Sequence, residues 1–225
     1  MEQMKRYAVY YAPPPGPLAA AAASWLGWDP AAGTPVPQPD VGLDLAALTA
    51  DPRKYGFHGT LKPPFRLADG VDAAALRAAV GHVAQSLNPV QMPGMDFLAL
   101  EGFLALVPTG DTAPLCDIAA KVVETLDPFR APLTDAEVAR RNPHRLTPRQ
   151  RDLLGRYGYP YVMEEFCFHL TLSGSLPPAD HAALRPFAEA HFTRHLPQPF
   201  RLTDLCLFGE AQDGRFHLLH RYPLA

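Results

Sequence analysis

The sequence predicts an α+β fold, bilobal and pseudo-symmetric, with two antiparallel sheets, outer helices and a central cleft. Three observations predict it. Short segments with apolar residues at period two alternate with Ala-rich helical segments. The string D-x-A-A-L-R occurs at Asp72–Arg77 and again at Asp180–Arg185, each time after an H-x-T-L. From each Asp to the Pro that closes its helix, Pro89 and Pro197, the separation is the same 17 positions, as two copies of one strand, helix and hairpin unit require.

Taken in order, Lys5–Tyr11 (KRYAVYY) is aromatic and β-branched and halts before Pro13, so it reads as a first strand. Leu18–Leu26 is an Ala-rich helix ending near Gly27. Phe57–Phe65 (FHGTLKPPF) is a second strand closed by a Pro pair. Asp72 caps a helix toward Leu87 with Leu76, Val80 and Val83 on one face. Asp96–Pro108 divides into two short strands near Gly102. The later half repeats this grammar. Phe166, Phe168, Leu170 and Leu172 alternate along a strand over Phe166–Ser173, and Asp180 opens a helix that Pro186 should kink. Phe200–Phe208 and Phe216–Tyr222 close around the turn dipeptide Asp213-Gly214. One domain, 1–225, thus holds one lobe around 50–110 and another around 162–225. The stretch 127–161 has no counterpart in the first copy and carries seven of the 16 arginines. Thr134 with Glu137 makes a capping box and Thr147-Pro148 suits a helix start, so it reads as a basic helical insertion.

Composition narrows the functional classes. With 48% hydrophobic residues in 225, the chain can bury a core. A net charge of −3 lacks the positive field that a long polyanion requires, which points to a small phosphorylated substrate rather than long nucleic acid. Cys116, Cys167 and Cys206 have no C-x-x-C spacing, so neither a disulfide framework nor a thiolate metal site is suggested. Met1–Arg6 carries no export signal, and the apolar stretch Leu18–Leu26 is far shorter than the ~20 residues of a membrane span. The expectation is a cytoplasmic monomer without membrane partner, metal or cofactor.

The chemical signal is His58-Gly59-Thr60-Leu61 paired with His169-Leu170-Thr171-Leu172. Given this content of His, Thr and Leu, about 0.06 copies of H-x-T-L are expected by chance. Residues at i and i+2 of a strand share a face, so His58, Thr60 and Lys62 are expected on one side, and His169, Thr171 and Ser173 on another. Neutral imidazole can take a proton from water, and imidazolium can give one to a departing oxygen. Thr hydroxyls can donate to phosphoryl oxygens as charge builds there.

Paired H-x-T-x motifs in two strand, helix and hairpin units resemble the two-histidine (2H) phosphoesterase superfamily, which includes the RNA 2′,5′-ligase-like and cyclic phosphodiesterase proteins. RYAVYYAP, HGTLKPPF, FRAPL followed by ARR, YGYPYV and FHLTLSG are similar to its bacterial subgroup associated with phosphonate-utilisation genes. The resemblance implies a bilobal α+β fold, His58 and His169 as acid and base in either order, Thr60 and Thr171 as phosphate ligands, and substrates with cyclic or 2′-linked phosphodiesters. The basic insertion departs from the RNA-ligase-like members.

Further substrate contacts are expected from Lys62, Ser173 and the arginines Arg130, Arg140 and Arg141, whose planar forks suit a second phosphate or phosphonate. Tyr161, with Tyr159, is a candidate wall for a base or sugar. The reading is a metal-independent hydrolase of a small cyclic phosphodiester, with a sugar cyclic phosphate of phosphonate breakdown as the expected substrate. Two rivals stand beside it: an RNA-end enzyme acting on 2′-type linkages, and a binding module that keeps the cleft without turnover.

Overall fold

The computed structural model describes residues 4–100 and 102–225. Met1–Gln3, the start of the stretch read for export signals, and Glu101, in the segment read as a hairpin, lie outside the described residues. The chain begins with β1 (Tyr7–Tyr11) and α1 (Pro17–Leu26), which Gly27 ends in the left-handed conformation. A small β2–β3 pair (Trp28–Asp29, Thr34–Pro35) and two short helices, α2 (Leu45–Leu48) and α3 (Ala50–Arg53), lead to β4 (Gly59–Phe65). Asp72 accepts from the Ala75 amide and so caps α4 (Ala73–Gln85) as its side chain suggested. Next come β5 (Val90–Met92), the hairpin β6 (Met95–Leu100) and β7 (Phe103–Pro108), and α5 (Ala113–Leu126). The insertion contributes α6 (Asp135–Ala139) and α7 (Pro148–Tyr157), both opened by capping boxes. The second copy follows with β8 (Leu170–Thr171), α8 (Pro178–Phe192), β9 (Phe200–Leu202), β10 (Asp204–Glu210) and β11 (Phe216–Pro223).

The α+β class holds, and the strands are antiparallel. Among the described residues, seven strands join edge to edge in the order β11-β10-β1-β4-β8-β7-β6, while β5 pairs with β9 apart from them. The two H-x-T strands are therefore neighbours at the centre of one continuous sheet. The halves also exchange hairpins. The first copy's β6–β7 hairpin pairs with β8, whereas the second copy's β10–β11 hairpin pairs with β1 beside β4. The helices follow, with α4 packing on β10 and β11 and α8 on β6 and β7. Each side of the sheet thus draws strands from both copies. The reciprocity of the exchange gives the duplication seen in the sequence a counterpart in space.

The alternation of β1 separates the two faces of the sheet. Tyr7, Val9 and Tyr11 belong to the large helix-covered core, while Ala8, Tyr10 and Ala12 pack with Cys206, Phe208 and Phe216 on the other side. Leu61, Phe168, Leu170 and Leu172 join the helix-covered core. Among the described residues no helix is long and apolar enough to cross a membrane.

Candidate active site

The two motifs meet through one residue pair. Gly59 of β4 lies opposite Leu170 of β8 in an antiparallel ladder. Extended through that pair, the register sets His58 across from Thr171 and Thr60 across from His169, all four on the face away from the helices. Gly59 is a steric requirement of this pairing, because a Cβ there would lie 2.5 Å from the Phe168 ring. His58, Thr60, His169 and Thr171 line one cleft of about 310 Å³, joined by Arg6, Tyr10, Tyr55, Phe103, Arg141 and Tyr159.

Both imidazoles are oriented in the same way. Nδ1 of His58 bonds the Gly56 carbonyl (2.9 Å), and Nδ1 of His169 bonds the Cys167 carbonyl (2.8 Å), each two residues upstream. A carbonyl only accepts, so each Nδ1 carries a proton, and in the neutral ring Nε2 carries the lone pair. The surroundings differ. Tyr10 stacks on His58 with ring centroids 3.9 Å apart, and Tyr55 stands at 5.8 Å. Burial pushes the His58 imidazole down to about 4, opposed by the Gly56 hydrogen bond and reinforced by the charge of His169. His169 has Phe103 at 5.3 Å and follows an exposed Cys167.

The structure distributes the other sequence candidates unevenly. Arg141 reaches the cleft, its guanidinium 4.8 Å over the Tyr159 ring. Tyr161 lines an adjoining apolar recess with Leu61, Leu100, Phe103 and Phe166, and remains 40% exposed. Arg140 lines a neighbouring charged recess and not the cleft itself.

Lys62 and Arg130 correct the expectation. Opposite β4, Tyr10 pairs with Thr60 but Val9 pairs with Lys62, so Leu61 is an extra residue in a β-bulge and the alternation reverses after Thr60. Lys62 consequently points with Val9 into the helix-covered side, 1% exposed, where Nζ donates to the Val123 carbonyl (3.2 Å) and sits 3.5 Å from Asp127. Its burial, eased by Asp127, pushes the ammonium down to about 8. Arg130 binds the same Asp127 (2.8 Å) and the Arg156 carbonyl (2.9 Å), pinning the root of the insertion. Ser173 borders the cleft, yet its hydroxyl donates to the Gly174 carbonyl and accepts from the Leu104 amide, each at 2.9 Å. Its one proton is therefore committed. Sequence reasoning missed Arg6, Tyr10 and Tyr55. Period two put Tyr10 on one face of β1, but no local signal showed which strand β1 would lie beside.

Among the described residues, no group of three or more His, Cys, Asp or Glu side chains gathers in a metal-ligating arrangement. What the fold and site define is an α+β protein with a duplicated His-x-Thr cleft. The chain belongs to the family described as "Protein of unknown function (DUF1045)", whose model matches residues 60–217. It is 40% identical over 222 residues to a protein of Janthinobacterium sp. (strain Marseille) named "Ribose 1,5-bisphosphate phosphokinase PhnN", a match covering 95% of this chain and 49% of that one. A Laribacter hongkongensis (strain HLHK9) protein of the same name is 34% identical over 216 residues, covering 93% and 49%. The chain thus spans about half the length of the curated relatives it matches. Similar solved structures include E. coli LigT complexed with 3′-AMP (14% identity, TM-score 0.49, 99% of both chains) and a phosphoesterase (15%, 0.49, 99% of both).

Proposed function

We propose that this chain is a metal-independent phosphoesterase that opens a small cyclic phosphodiester on a sugar, with His58 as general base and His169 as general acid. The observation that carries the proposal is the pairing of Gly59 with Leu170, which draws two His-x-Thr units into one cleft. His58 is the better base because its covered ring stays neutral through the physiological range, with the Nε2 lone pair opposite the Nδ1 proton. Water donates a proton to His58 Nε2 as its oxygen bonds phosphorus. The ring P–O bond breaks, and the departing sugar oxygen takes a proton from His169 Nε2. Thr60 and Thr171 donate to the non-bridging oxygens as their charge grows. The product is a phosphate monoester with a freed hydroxyl.

Two further observations support the substrate class. The cleft of about 310 Å³ suits a small molecule, and the chain's charge of −3 disfavours a long polyanion. The relatives' name brings phosphorylated ribose into view, in keeping with the phosphonate-utilisation setting that the sequence resemblance implies. The kinase activity in that name belongs to proteins twice this length. None of the four lysines here follows a glycine, as the phosphate-gripping G-K-[ST] pattern would need.

The test is a panel of nucleoside 2′,3′-cyclic and pentose cyclic phosphates assayed with and without chelator. Turnover should survive EDTA, and His58→Ala or His169→Ala should each lower kcat by roughly 10² to 10⁴ while thermal unfolding is retained. Chelator-sensitive turnover, or an alanine variant with near-normal kcat, would reject the proposal.

A further inference from the structure

The cleft opens on one side into a recess of about 620 Å³, with Arg6, Tyr55, Pro64 and Arg141 as the shared wall. The charged groups around this recess are Lys5, Arg6, Arg66, Arg140 and Arg141, against Glu137 and Glu210. The excess is three positive charges, in a chain whose overall charge is −3. The two carboxylates do not neutralise the recess. Glu210 holds Arg6 (2.5 Å) and Glu137 holds Arg66 (2.9 Å), while Lys5 donates to the Gln212 carbonyl (2.6 Å). Arg140 uses Nε on the Ala136 carbonyl of its own helix, and the Arg141 guanidinium carbon lies 4.8 Å over the Tyr159 ring centroid. A cation–π contact uses the charge of a guanidinium without consuming its N–H donors.

We propose that this basic recess binds a second phosphoryl group of the same substrate molecule, so the preferred substrate is a cyclic phosphodiester that also bears a phosphate monoester at its far end. The inference rests on the phosphodiesterase reading for the reacting end. A planar fork offers paired donors to phosphate oxygens, and two adjacent arginines at the end of α6 place two such forks at one rim. The recess is too roomy for a lone inorganic anion to be held on all sides, whereas a sugar anchored in the cleft would deliver its phosphate to the Arg6 and Arg141 wall. The insertion that supplies Arg140, Arg141 and Tyr159 thereby becomes the specificity element of the site.

Binding tests this without requiring turnover. In calorimetric titrations, ribose 1,5-bisphosphate should bind the intact chain roughly tenfold or more tightly than ribose 1-phosphate, which lacks the far-end phosphate, a margin that shrinks as salt rises. Arg140→Ala/Arg141→Ala should bring the two ligands to within about twofold, and Arg140→Ala alone should do part of this, which guards against a folding failure in the double variant. Equal affinities in the intact chain, or a preference that survives the double substitution, would overturn the second-phosphate site. Failure to hydrolyse any cyclic phosphodiester would count against the phosphodiesterase reading instead, and leaves the binding comparison intact.

Discussion

His58 and His169 hold equivalent places in two copies of one motif, and both rings are fixed by a hydrogen bond from Nδ1 to the carbonyl two residues upstream. Their settings are unlike. His58 leads into a seven-residue strand, flanked by β1, and lies beneath Tyr10. His169 leads into a ladder of two residues and sits between exposed Cys167 and Phe103. Duplication supplies two identical reagents. The neighbours that each copy acquires differ, and the proposed roles of base and acid rest on that difference.

Uncovering His58 should break the comparison most visibly. His58 must be neutral to take a proton, so kcat/KM should fall as pH drops through about 4 in the intact chain. Tyr10→Leu removes the stacked ring, lets water reach the imidazole, and should move that limb upward toward the ordinary value of 6.5. At pH 5 the variant should then run roughly tenfold slower than the intact chain, with little difference at pH 8. A pH–rate profile measured on both proteins decides the matter, and superimposable acid limbs would remove Tyr10 as the cause.

A smaller effect sharpens the comparison between the middle residues of the two motifs. Leu170 is buried in the helix-covered core and Gly59 faces it with the Phe168 ring where a side chain would go. Leu170→Ala should cost about 2–5 kcal/mol through a cavity. Gly59→Ala should cost about 1–3 kcal/mol through overpacking. Thermal unfolding would show both, and a neutral Gly59→Ala would mean that Phe168 yields without strain.

Much of this was legible in the chain. The repeated H-x-T-L and D-x-A-A-L-R strings marked the duplication, and side chains with local partners behaved as read: Asp72 caps α4, and Thr134 and Thr147 open the insertion helices. Long-range geometry was not legible. Nothing in GTLKPPF announces that Leu61 is a bulge residue, yet that one extra residue turns Lys62 from the cleft into the core. Hairpin exchange leaves no local trace either, since a hairpin reads alike whichever half it joins. Arg130 and Arg141 sit in the same basic stretch, and only tertiary contacts show that one pins the insertion and the other faces the cleft.

The division of labour between the two histidines is tested most directly with a phosphodiester whose leaving group needs no proton. A p-nitrophenyl ester departs as a stable anion, so a missing general acid should matter little and a missing general base should matter fully. The account predicts that His169→Ala regains most of its lost rate on the nitrophenyl ester while His58→Ala stays as impaired as on the alkyl substrate. Rescue of His58→Ala and not of His169→Ala would contradict it.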